Sequence, residues 1–409
     1  MGVADVVAAA FGGELPIAVA AFDGSRCGPA DAPATLVIRR PDVLSRIVSA
    51  PGELGMARAY VAGDVDFEGD IYAVLAVQRS IGSLRIRPRV VVDLVREIGV
   101  RHLRPLPPPP EEARLTGPLH SRERDAAAIA HHYDLSNEFY ERVLGSSMTY
   151  SCAVWESPDV GLDAAQHAKY DLIARKLALR PGMRLLDIGC GWGGMVRHAA
   201  REYGVRAVGV TLSNRQADWA AKRVAEDGLS DLVEIRVEDY RDVTDGPYDA
   251  VSSIGMYEHV GAKTLPAYLE RCRALVRPGG RVLNHGITRP HRGPGAIAPK
   301  SFMGRYVFPD GALHEVGSIV SAVHDAGLEV RHVETLREHY ALTLRAWVAN
   351  LERHWDECVE LVGEGRARVW RLYMAGSAVQ FEQGAIQVHQ VLAVRSESGR
   401  STMPLRPDW

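Results

Sequence analysis

The stretch Met183–Gly194, MRLLDIGCGWGG, constrains the fold more than any other part of the chain. A short apolar run ends in Asp187 and Gly189 and then meets glycines at 191, 193 and 194. The run reads as a buried strand, and the glycines let the backbone turn sharply and pass close to a ligand before a helix opens at Gly194. The same alternation repeats downstream. Val205–Val210 reads as a second strand, followed by a helix capped by Ser213; Val233–Val237 and Tyr248–Ile254 read as further strands. A helix near Thr264–Leu275, a Pro278-Gly279-Gly280 turn and a fifth strand at Arg281–His285 complete the series. Strand–helix alternation of this kind predicts an α/β, doubly wound Rossmann-like sheet with ligands at the carboxyl ends of its strands.

Upstream, the proline run at 105–110 cannot lie inside a helix or a central strand. It divides the chain into an N-terminal domain (1–104), a linker (105–120) and a catalytic domain (121–409). The N-terminal part mixes a strand at Ala34–Ile38 with helices, an α+β pattern. Gly52–Asp70 reads as a helix followed by a Gly/Asp-punctuated loop. Between Ile81 and Arg124 arginines outnumber acids. That pattern suits either a solvated helix and linker face or a basic surface toward anionic lipid headgroups.

Composition removes several classes. A net charge of −3 over 409 residues offers no global attraction for nucleic acid. Five scattered cysteines without a C-x-x-C pair argue against a disulfide scaffold or a cysteine zinc site and fit a reducing cytoplasm. No apolar run has the length of a membrane span, and the N-terminus lacks the basic region of a signal peptide, so membrane work is expected from the surface.

The order D-x-G-x-G-x-G-G differs from the dinucleotide fingerprint G-x-G-x-x-G. It suits a cofactor with an adenosine and a cationic tail, with Asp187 placed to help hold the cation. The loop resembles that of class I S-adenosylmethionine-dependent methyltransferases. Five further segments narrow the resemblance: HHYDLSNEFY (131–140), MTYSCAVWE (148–156), GVTLSNRQ (209–216), SIGMYEHVG (253–261) and FPDG (308–311). With REHYALTLRAW (337–347), they resemble, in order, the cyclopropane-fatty-acid synthase family, which includes the mycolic-acid cyclopropane synthases and methylene-forming enzymes. GELGMARAYVAGD, in the N-terminal part, resembles the extension of the phospholipid-acting members.

The resemblance implies S-adenosylmethionine and bicarbonate as cofactors. It implies bicarbonate ligands at Cys152, Glu258, His285, the Ile287 backbone and Tyr340. Tyr133, Phe308 and Tyr340 are aromatic candidates for stabilising a cation. Cofactor contacts are implied at Tyr150, Ser151, Gly189, Thr211, Leu212, Gln216 and Ile254, and for adenine within Asp239, Tyr240 and Arg241. Asp187 and Gly191 complete that set from the glycine turn itself, and no metal is expected.

The implied reaction moves the methyl carbon to the cis double bond of an unsaturated acyl chain in a membrane phospholipid. Ring closure gives a cyclopropane. A hydride shift gives a methylene, the product type a separate reductase would convert to a methyl branch. A small-molecule methyltransferase on the same fold is the more distant alternative; the D/N-P-P-Y/F motif of nucleobase methylation is absent. The resemblance further implies a homodimer, peripheral to the inner face of the membrane. Glu258 would repel an anion unless it orients a donor or carries a proton, so a raised pKa is expected there.

Overall fold

The computed structural model describes residues 2–10, 15–80, 88–113, 124, 136–290, 297–309 and 311–409, in two compact units. The first comprises residues 1–114, 298–307 and 358–379, and the second 115–297, 308–357 and 380–409. The units are therefore not consecutive along the chain, in contrast to the division expected at the prolines. Within the basic stretch 81–124, residues 81–87 and 114–123 lie outside the described residues.

The first unit is α+β. Its sheet has the order β2-β1-β3-β4, with β1 at Ala18–Ala21, β2 at Arg26–Cys27, β3 at Ala34–Ile38 and β4 at Val65–Gly69. The helix expected after Gly52 runs over Glu53–Val61, but the loop expected to follow it contains β4. Val65 and Phe67 alternate with Asp66 and Glu68, and this period of two pairs antiparallel with β3. Val19, Leu36, Ile38 and Val65 form the core with Val3, Val6 and Ile98. The late segment 358–379 joins this unit through a buried arginine. Arg368 lies 3.0 Å from Asp66 and 2.8 Å from Glu364 and donates to the carbonyls of Tyr60 and Val65. A spacing pattern alone does not reveal that an arginine three hundred residues away neutralises Asp66.

The second unit holds the doubly wound sheet, in the order β11-β12-β9-β8-β5-β6-β7. Strand β5 is Arg184–Ile188, β6 Arg206–Thr211, β7 Val233–Val237, β8 Tyr248–Ile254 and β9 Val276–Arg289. The first two strands of the order are β11, Glu329–Thr335, and β12, Gln387–Val394, while the short β10, His314–Glu315, pairs with β9. The strands from β7 to β9 are parallel, and β12 and β11 add an antiparallel margin. Apolar runs such as Leu185, Leu186 and Ile188 are buried because helices cover both faces.

The turn expected at Pro278–Gly280 is absorbed into β9. The distortion appears as a register irregularity opposite Tyr248 and Ala250, with Gly279 at φ +75°. Ser213 caps the Asn214–Glu226 helix by accepting from the Gln216 N–H. The chain leaves β5 toward β6 and later returns to the other side of β5 as β8, which makes a switch point at the carboxyl ends of these strands.

Candidate active site

The glycine turn after β5 opens at this switch point. Gly189, Gly191 and Gly193 have φ of +76°, +54° and +78°, in the left-handed region that side chains avoid. The Gly189 and Cys190 N–H groups donate to Val210 O, which ties the turn to β6. Gly194 is required for another reason. A Cβ there would stand 2.0 Å from the Tyr170 hydroxyl, which is hydrogen-bonded to Thr149.

A cavity spreads from this turn over the ends of β5, β6 and β8. All twelve residues expected to hold the cofactor line it: Tyr150, Ser151, Asp187, Gly189, Gly191, Thr211, Leu212, Gln216, Asp239, Tyr240, Arg241 and Ile254. Asp187 is buried and accepts from Ser252 Oγ at 2.6 Å. Burial raises its pKa to about 6 against the pull of Ser252 and Lys169. Thr211 donates to Gln216 Oε1 at 2.9 Å, which fixes the amide where other nucleotide folds place an acid. Arg241 grips Asp239 with Nε 2.8 Å from Oδ1.

The residues lining this cavity do not include Cys152, Glu258, His285, Ile287 or Tyr340; a chain of backbone contacts links the segments that carry them. Cys152 Sγ lies 3.6 Å from Leu336 O, which also receives the N–H of Tyr340. The Leu336 N–H donates to Val388 O, and Val388 faces Ile287 across β12 and β9. The Ile287 N–H donates to Glu258 Oε1 at 2.7 Å. His285, two residues earlier on β9, pairs with Ile254 of the cavity wall. Tyr340 packs at 4.6 Å against Phe381 and at 6.0 Å, edge-on, against Trp347. Tyr133 lies outside the described residues.

Burial raises the Glu258 carboxyl to about 7, with the Ile287 N–H pulling the other way. It also pushes the Cys152 thiol well up and His285 well down, so that both are neutral. Glu258 Oε2, His285 Nε2 and the Tyr257 hydroxyl are buried without a hydrogen-bond partner in the protein. Buried polar atoms without a partner in the protein can be satisfied by a water or a polar ligand.

One participant escaped the sequence reading. Lys169, fully buried on the Leu162–Leu177 helix, lines the cavity and donates to Ser151 Oγ at 2.9 Å. Burial draws its ammonium down to about 7, while Cys152 and Asp187 favour the charge. The signal was compositional: the chain has only five lysines, against a large excess of arginine, and two of them lie seven residues apart on this helix.

A family profile described as mycolic acid cyclopropane synthetase matches residues 120–391. The chain belongs to that family. Its members are S-adenosylmethionine-dependent lipid methyltransferases and cyclopropane synthases. A probable fatty acid methyltransferase of Mycobacterium tuberculosis is 49% identical over 97% of this chain and 95% of its own length. The cyclopropane-fatty-acyl-phospholipid synthase of Escherichia coli K12 is 32% identical over 91% of each. Among solved structures, the mycolic acid cyclopropane synthase CmaA1 with SAH and CTAB aligns with a TM-score of 0.62 at 33% identity. It covers 66% of this chain and 97% of its own. The sheet and glycine turn of this family member thus have the class I methyltransferase fold.

Proposed function

We propose that this chain methylates the cis double bond of an unsaturated acyl chain in a membrane phospholipid and closes the product to a cyclopropane. The observation that carries the reading is the cavity lined by all twelve cofactor candidates, whose wall residues Ser151 and Ile254 adjoin buried Cys152 along the chain and buried His285 across the sheet. The left-handed glycines and Asp187 fit S-adenosylmethionine: the Cβ-free turn admits close backbone approach, and the carboxylate faces a cationic group. When bound, that molecule supplies a sulfonium methyl electrophilic enough for an alkene.

The chain's own residues have three tasks. Apolar and aromatic walls exclude water from the acyl cation that methyl addition creates. The rings of Tyr340, Phe381 and Trp347 offer their faces to positive charge. The orphaned Glu258 Oε2 and His285 Nε2 fit a small oxyanion such as bicarbonate, which supplies a base when bound. Glu258 also occupies the Ile287 N–H that the family resemblance assigned to the anion, so its carboxyl is tied to strand β9. The two-part chain, matched over most of its length by a phospholipid-acting relative, supports phospholipid as the substrate class, reached from the membrane surface. Among the described residues no helix is long and apolar enough to cross a membrane.

A second reading, methyl addition without ring closure, draws support from the 49% identical relative, whose name specifies a fatty acid methyltransferase and no ring. Incubation with methyl-labelled S-adenosylmethionine and oleoyl-phospholipid vesicles tests both. Label in the lipid with upfield cyclopropane protons is expected. Vinylidene protons transfer the assignment to the methylene product and its reductase partner, and unlabelled lipid removes the proposal.

A further inference from the structure

His285 sits in a row of residues that crosses four strands in register. Glu334 of β11 faces Gln390 of β12, Gln390 faces His285 of β9, and His285 faces Ile254 of β8. Facing residues in a sheet share one side. On that side Lys176 reaches in from the Leu162–Leu177 helix, pairs with Glu334, and donates to Gln390 Oε1 at 2.7 Å. Gln390 Nε2 lies 3.1 Å from His285 Nδ1. Lys176 and Gln390 are fully buried.

The chemistry of these donors leaves one arrangement. An ammonium paired with a carboxylate has hydrogens to give and no lone pair, so the amide atom facing Lys176 is the oxygen. The amide nitrogen then faces the imidazole and has only hydrogens to offer. His285 Nδ1 must therefore accept, and the ring proton of neutral His285 sits on Nε2. That Nε2 is the buried atom without a protein partner.

We propose that Lys176 and Gln390 are positioning residues that lock His285 as an Nε2–H donor, so that the ring meets its ligand as a hydrogen-bond donor to an oxyanion and does not itself remove a proton. The identity of the ligand rests on the function proposed above; the tautomer rests only on this row. Glu334, about one-third exposed at its side chain, anchors the row at its solvent end.

The test is the tautomer of His285, read by two-bond proton–nitrogen correlation in histidine-labelled full-length protein, with His285→Ala assigning the signal. Wild type is expected to show a protonated Nε2 and a bare Nδ1. Gln390→Glu places an acceptor opposite Nδ1 and is expected to move the proton there or to create an imidazolium. Turnover on oleoyl vesicles should fall about 10–100-fold, the usual cost of losing such a supporting partner, with S-adenosylhomocysteine affinity within about twofold. Lys176→Met frees the amide to turn over and should give mixed tautomers, providing a second variant if Gln390→Glu does not fold. A bare Nε2 in wild type overturns the proposal, as does a Gln390→Glu protein whose Nδ1 stays bare. The spectra need no lipid, cofactor or anion. Nε2–H in wild type, shifted in Gln390→Glu, together with full turnover in His285→Ala, would leave the lock standing and remove the oxyanion reading instead.

Discussion

Replacing Glu258 by Gln should make the protein more stable at alkaline pH while removing its activity. The Glu258 carboxyl titrates near 7 in the folded protein, against 4.5 for an unperturbed glutamate. As pH rises through this interval the unfolded chain gives up its proton first, so the folded state holds more protons and loses stability. The shift is 7 − 4.5 = 2.5 units. At about 1.4 kcal/mol per unit, roughly 3 kcal/mol of stability is lost between pH 4.5 and pH 8. Gln keeps an oxygen for the Ile287 N–H, now 2.7 Å from Glu258 Oε1, and carries no charge at any pH. Denaturant unfolding of both proteins at pH 5 and pH 8.5, without ligands, should give nearly equal stabilities at pH 5. At pH 8.5 the variant should lead by roughly 3 kcal/mol. All other titrating groups cancel in the comparison. Turnover should fall by about 10²–10⁴ if the carboxyl takes part in proton management. A stability difference that does not change with pH would refute the reasoning, because it would mean that Glu258 ionises normally in the folded state.

Three further outcomes follow from the same geometry. Protonated Lys169, titrating near 7, opposes a cationic ligand in its cavity. Calorimetry should therefore show S-adenosylmethionine affinity rising between pH 6 and pH 8 more steeply than that of uncharged-sulfur S-adenosylhomocysteine, and Lys169→Met should reduce the difference to the part that Asp187, titrating near 6, contributes. Gly194→Ala drives a methyl into the Tyr170 hydroxyl and should cost about 1–3 kcal/mol in unfolding experiments, partly recovered by Tyr170→Phe, which removes the atom 2.0 Å away but leaves ring carbon at 2.7 Å. In the first unit, Arg368→Leu strips two carbonyls of their buried donor and leaves Asp66 with Arg39 at 2.6 Å as its remaining partner, and should cost about 1–3 kcal/mol in the same measurement.

The doubly wound sheet was legible because its signals are local. An apolar run, a glycine turn and a capping Ser213 each fit within a dozen residues, and the strands at Val233–Val237 and Tyr248–Ile254 have the expected bounds. Part of the cavity wall comes from the loops that follow those strands, while Tyr150 and Ser151, which precede them, were named only through the family resemblance. What could not be read depends on residues far apart in the chain. Strand β4 was hidden by the glycines and aspartates around it, and its partner β3 lies some thirty residues away. The return of segment 358–379 to the first unit depends on Arg368 finding Asp66. Lys169 and Lys176 belong to no local motif, and only the fold brings them to Ser151 and Gln390 in the interior.

Strand β12 has a consequence for the order in which the molecule becomes competent during synthesis. The cavity wall runs from Met148 to Thr264 and belongs to chain that has already left the ribosome when Gln390 is still to be made. His285 gains its neighbour only in the last twenty residues. A nascent or truncated chain ending before β12 has every residue of the nucleotide cradle but lacks the group that aims the imidazole, so loss of the tail should separate ligand capture from chemistry.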